Sequence, residues 1–170
     1  MSDDFVVDVK LTGLKNIGPE VLNGPLRQFW GEAAGSLQRD IQTSPLMPRD
    51  TGHGINSFSF QVDPATPPMW AEVGSNKKHM RWMNYGTGLL SIDPQSSHKR
   101  HWPPAAALDT WARRHGFASG AQVARIIGMR GGLKPRQFVE DGIKRFNGEI
   151  GALVEKLRGN IEAAASRREG

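Results

Sequence analysis

Between residues 139 and 161 the apolar side chains Val139, Ile143, Phe146, Ile150, Leu153, Leu157 and Ile161 recur at intervals of 4, 3, 4, 3, 4 and 4, with Lys, Arg and Glu between them. This spacing is close to a 3.5-residue repeat, so the segment is predicted to be one long amphipathic helix over 135–165, opening after Pro135. A stripe of that length must be covered by another apolar face. Glycines at 142, 148, 151 and 159 each lower its intrinsic helicity by up to about 1 kcal/mol relative to Ala. Packing must therefore hold the helix, and the small residues at 148 and 151 are expected to let a partner approach closely.

A second stripe offers that partner. Leu22, Leu26, Phe29, Ala33, Leu37 and Ile41 repeat every three or four residues. The predicted helix is 24–42, with Asn23 as cap, Pro25 in the first turn and Thr43–Pro45 as its stop. Before it, Val7, Val9 and Leu11 alternate with Asp8, Lys10 and Thr12, which predicts a half-buried strand over 5–13.

A small antiparallel sheet of three or four strands is expected within 55–88. Phe58, Phe60 and Val62 alternate with Ser57, Ser59 and Gln61, and Met69–Ser75 is the expected return strand beyond a proline-rich turn. Residues 89–104 lack periodicity and end at two prolines, so they read as a long loop. Two short helices are expected within 105–129, the first closed by Gly116, the second capped by Ser119 and broken by Gly131 and Gly132. The expectation is one α+β domain over 1–170: a small antiparallel β-sheet packed against an N-terminal helix and a long C-terminal helix, with long loops.

Composition narrows the chemistry. The 170 residues include 20 Gly and 11 Pro, and only 38% are hydrophobic, which suits a compact core carrying long irregular segments. With no cysteine there is no disulfide, thiolate nucleophile or thiolate metal site. No apolar run approaches the ~18 residues that span a membrane, and the acidic start Met1–Asp4 does not read as a secretory signal. The expected setting is a reducing cytoplasm with no membrane partner. The formal charge is +5, in small clusters at Lys77–Arg81, His98–His101, Arg113–Arg114 and Ser166–Arg168.

Gly86 and Gly88 flank Thr87, but no third glycine, lysine or helix follows as a dinucleotide or P-loop site requires. The pair reads as a turn needing positive φ that ends a strand. His98 and His101 are the only close histidines, too few for a zinc site, and no G-x-S-x-G is present. The triplet Asp50–Thr51–Gly52 lacks the apolar strand that leads into an aspartyl-protease site and reads as a self-bonded turn. No catalytic residue, cofactor or metal is expected. Trp82, Tyr85 and Trp102 interleave with Lys77, Lys78, Arg81, Lys99 and Arg100, chemistry suited to base stacking and phosphate contact. These cations are candidate DNA-facing residues, and a sequence-independent nucleic-acid-binding module is the alternative reading.

The order of the motifs is more specific than any one alone. Pro48, Asp50, Thr51, Gly52 and Ser57 form P-x-D-T-G-x-x-x-x-S; Tyr85, Gly86, Thr87 and Gly88 form an aromatic-G-T-G; Lys134–Phe138 opens the last helix. This order resembles the tail-completion, or neck, proteins of long-tailed double-stranded DNA bacteriophages, over roughly Phe5 to Ala164. The chain departs from that pattern at His53 and Gly54 after D-T-G, and at Asn84, where an acid is common.

The resemblance implies a non-enzymatic virion protein of the head–tail junction, assembled in the bacterial cytoplasm. It implies a homo-oligomeric ring, commonly hexameric, between head-completion (stopper or adaptor) proteins and the tail tube or its terminator, around the DNA channel. Pro48, Asp50, Thr51, Gly52, Tyr85, Gly86, Thr87 and Gly88 are then interaction residues, within or beside loops 45–54 and 89–104.

Overall fold

A computed structural model describes residues 18–63 and 70–167. The expected strand 5–13 lies outside them, as does the Pro64–Met69 connection. The fold is α+β, and the described residues of a chain expected as one domain divide into two compact units, 18–76 with 138–167 (less 64–69) and 77–137.

The first unit contains helix α1 (Pro19–Thr43), strands β1 (Phe58–Val62) and β2 (Ala71–Ser75), and helix α5 (Phe138–Ser166). Helix α1 starts earlier than 24. Pro19 takes the first-turn place, Pro25 lies inside the helix, and Asn23 does not cap. Instead the Asn23 Oδ1 is buried without a hydrogen-bond partner. The physical reason is packing: all six predicted stripe residues, Leu22 included, are buried with Trp30 and Ala34. Burying each large apolar side chain contributes about 1.5–3 kcal/mol, which offsets the roughly 3 kcal/mol interior cost of Pro25.

Helix α5 runs antiparallel along α1. Gly142 lies against Ile41, Glu149 accepts from Ser36 and Arg39, Lys156 donates to Glu32 and Asn160 donates to Gln28. Val139, Phe146, Leu157 and Ile161 of the predicted stripe are buried, and Phe138 joins them with its ring 6.2 Å from Phe58, edge to face. The expected close approach is not at 148 and 151, where an added Cβ meets nothing within 4 Å. It is at Gly142, where a Cβ would stand 2.6 Å from Ile41 Cγ1 and 2.8 Å from its Cα and N. Gly148 and Gly151 fall off the buried stripe, on the solvent side.

The sheet has two strands among the described residues, paired antiparallel with Phe58 opposite Ser75 and Phe60 opposite Val73. Gln38 and Gln42 of α1 donate to the carbonyls of Phe58 and Ile55, which fixes the entry of β1. Phe58 and Val73 are buried, but Phe60 on the same face stays 43% exposed. Its ring reaches α1 at Gly35, which has no side chain to enclose it.

The second unit contains α2 (Lys78–Tyr85), α3 (Ala105–Arg114) and α4 (Gly120–Met129). Residues 78–85, at the end of the span expected for the sheet and legible in sequence as either a short helical or an extended piece, are helical because their two inward residues, Met80 and Asn84, are four apart. The glycine pair therefore ends a helix, not a strand. Helices α3 and α4 form at their expected places. Gly116 has φ +76° and Phe117 N–H donates to the Ala112 carbonyl, closing α3. Ser119 Oγ accepts from Gln122 N–H at the start of α4, and Asp109 Oδ1 accepts from Gly120 N–H.

Candidate functional site

The motif residues fall in different units: Pro48–Gly52 in the first, Tyr85–Gly88 in the second. In the first, Ser44 closes α1 and anchors the loop that follows. Its buried hydroxyl donates to Asp141 at 2.7 Å and accepts from Leu46 N–H, while Met47 is buried beneath. Gly52 has φ +78°, Thr51 Oγ1 accepts from His53 N–H, and the Gly52 carbonyl accepts from Asn56 N–H. Asp50–Thr51–Gly52 is thus a left-handed turn that launches the 3-10 turn Ile55–Ser57 and then β1. Ser57, the last motif residue, donates to the Gly54 carbonyl and shares a 2.6 Å hydrogen bond with Ser75 Oγ on β2. Asp50 and Thr51 are exposed at its tip.

In the second unit, Gly86 and Gly88 have φ +75° and +66°. Thr87 between them is clasped by the Gly131–Leu133 segment. Thr87 N–H donates to the Leu133 carbonyl, Leu133 N–H returns to Thr87 Oγ1, and Leu89 N–H donates to the Gly131 carbonyl, each at 3.0 Å. The two backbones approach so closely that a Cβ on Gly88 would collide with the Gly131 carbonyl, and one on Gly132 with the Thr87 carbonyl. A phosphate loop needs N–H groups open to a ligand; here those of Thr87 and Leu89 are spent on the partner segment. Sequence reasoning anticipated positive φ at one or both of Gly86 and Gly88, and both have it, but missed Gly131–Leu133 as the other half of the clasp. Its signal was a second glycine pair, Gly131 and Gly132, between two predicted helices.

The long loop leaves this clasp and is fixed by its own polar groups. Arg81 makes a two-pronged pair with Asp93, Nε to Oδ2 at 2.8 Å and Nη2 to Oδ1 at 3.1 Å, and also donates to Gln95. The Arg81 guanidinium beside Asp93 holds that carboxyl below its ordinary pKa. The Asp93 backbone N–H donates to Ser91 Oγ, and Gln95 N–H to Asp93 Oδ1. Arg81, a candidate DNA-facing residue, is only 19% exposed at its side chain. Lys77, Lys78, Lys99 and Arg100 are exposed. Arg100 reaches the carbonyls of Gly128 and Met129 at the end of α4.

Large apolar side chains stand in water beside these anchored turns: Leu46 in the first unit, Leu89 (54% exposed), Ile92, Trp82 and Trp102 in the second. Among the described residues no three or more His, Asp or Glu are grouped to hold a metal ion. No described helix is long and apolar enough to cross a membrane. The chain matches no family model, no curated protein and no solved structure.

Proposed function

We propose that the chain is a structural protein of the head–tail junction of a long-tailed double-stranded DNA phage. It acts without catalysis, as a homo-oligomeric ring, hexameric by preference, that joins the tail tube or its terminator to the head-completion proteins. The observation that carries the reading is the exposure of Leu46, Leu89 and Ile92 on loops that are internally anchored. Leu89 and Ile92, three residues apart on one fixed loop, offer an apolar patch for a partner to cover, and Leu46 is a separate exposed position in the first unit. The two motifs behind the resemblance adjoin these loops: Asp50–Gly52 turns the chain at the end of the first, and Tyr85–Gly88 opens the second.

A closed ring uses heterologous contacts, with one face of each subunit on a different face of the next. The test is sedimentation of the purified chain alone and mixed with the tail-terminator and head-completion proteins of the same phage. A ring-sized species that captures either protein, and loses it on Leu89→Asp with Ile92→Asp, supports the reading. A monomer that binds neither protein overturns it.

A further inference from the structure

The second unit carries eleven of the 22 Lys and Arg but two of the 17 Asp and Glu, a net +9 against −4 for the rest of the chain. Both acids have internal work: Asp93 holds Arg81, and Asp109 caps α4. All of its cations except Arg81 are exposed. Part of the acid in the rest of the chain is engaged within it. Glu32 pairs with Lys156, Glu149 with Arg39 and Glu162 with Arg158.

The same unit holds its tryptophans outward. Trp82 is 49% exposed beside His101, ring centroids 6.4 Å apart. Trp102 is 55% exposed, yet one side of its ring rests on α4 at Gly128, where any Cβ would collide with it. His101 N–H donates to the Gly131 carbonyl and Arg100 to the Gly128 and Met129 carbonyls, so the strip carrying Trp102 is pinned to the clasp. Lys78 stands one turn before Trp82 on the same side of α2.

We infer that this face binds single-stranded nucleic acid, with unpaired bases stacking on Trp82 and Trp102 and phosphates held by Lys78, Lys99, Arg100 and Arg130. Exposed rings among cations are what a sequence-tolerant strand site requires, since every base has a π-face and every linkage a charge. An acidic protein would also meet the cations, but two outward rings each flanked by a cation, Trp82 by Lys78 and Trp102 by Arg100, fit the alternation of base and phosphate along a strand. The inference goes beyond the head–tail reading and does not depend on it.

The test is fluorescence anisotropy of a labelled oligo-dT strand with the full chain across a salt series. Binding is expected to weaken with salt at a log–log slope of about −3 for the four named cations, on the order of −0.7 per phosphate. Trp82→Ala should weaken it at least ~5-fold with the slope unchanged. Lys99→Glu should lower affinity and reduce the slope by about 0.7, whereas Lys144→Glu on α5 should leave both unchanged. Trp102→Phe keeps a ring on Gly128 should Trp102→Ala fail to fold, and is expected to weaken binding less than Trp82→Ala. Absence of binding, a Trp82→Ala affinity equal to wild type, duplex DNA bound as tightly as the single strand, or equal losses from Lys99→Glu and Lys144→Glu would overturn the inference.

Discussion

Gly142 of α5 rests on the backbone of Ile41 in α1, with room for a hydrogen but not for a methyl group. The contact belongs to the same antiparallel pairing that aligns Glu149 with Ser36 and Lys156 with Glu32. Gly142→Ala must push the helices apart or bend one, at a cost of about 1–3 kcal/mol, the usual range for overpacking. By contrast, Gly148→Ala and Gly151→Ala meet open space and should each stabilise the chain by up to about 1 kcal/mol through helix propensity. Urea unfolding of the three variants checks both signs. A Gly142→Ala variant as stable as wild type would contradict the packing.

Thr87 Oγ1 is the acceptor for Leu133 N–H in the clasp. Thr87→Val keeps the shape and leaves that N–H without its partner, which should cost about 1–3 kcal/mol. Hydrogen exchange at Leu133 should quicken in the variant. Unchanged protection there would show that the clasp does not depend on the hydroxyl.

Asp93 has a lowered pKa because Arg81 holds its charged form. Its stabilising contribution is therefore present above the unfolded value of about 3.9 and is lost as pH falls through the lower folded value. Asp93→Asn should destabilise the chain at pH 7 by about 1–3 kcal/mol, with the difference from wild type shrinking towards pH 2. Thermal melts at the two pH values measure it; a constant difference would mean the ion pair is not the cause.

Asp40 behaves in the opposite sense. Burial raises its pKa, Glu149 adds to the shift, and Arg39 and Arg145 oppose it. Its Oδ2 is buried without a hydrogen-bond partner. The folded state then holds this proton more tightly than the unfolded chain, so this group's contribution to stability falls as pH rises from the unfolded value through the raised folded one. Asp40→Asn should match or exceed wild-type stability at pH 7 and lose that advantage near pH 3. Destabilisation at pH 7 would show that the two arginines outweigh the burial.

The long helices were legible because each buries one stripe with a single period: Leu22 to Ile41 and Val139 to Ile161 needed only spacing to be found. Ser119 and Gly116 were legible for a local reason, since a cap and a left-handed closure are satisfied within a few residues. What escaped depends on distant partners. The choice of Gly142 over Gly148 is set by Ile41, about a hundred positions away. The helix over Lys78–Tyr85 rests on burial of a polar residue, Asn84, which hydrophobic periodicity does not count. The pairing of Arg81 with Asp93, twelve positions on and across the loop, is likewise not legible among the neighbouring cations. The charge segregation was hidden for a similar reason: three of the four basic clusters are separate in sequence but belong to one compact unit.

The claim that this chain builds a phage head–tail junction is tested most directly by locating it in the particle. Virions carrying a gold-labelled tag on the chain are expected to show the label as a ring at the junction of head and tail. Label on the capsid shell or tail tip, or virions that join normally and contain none of the chain, would contradict the account.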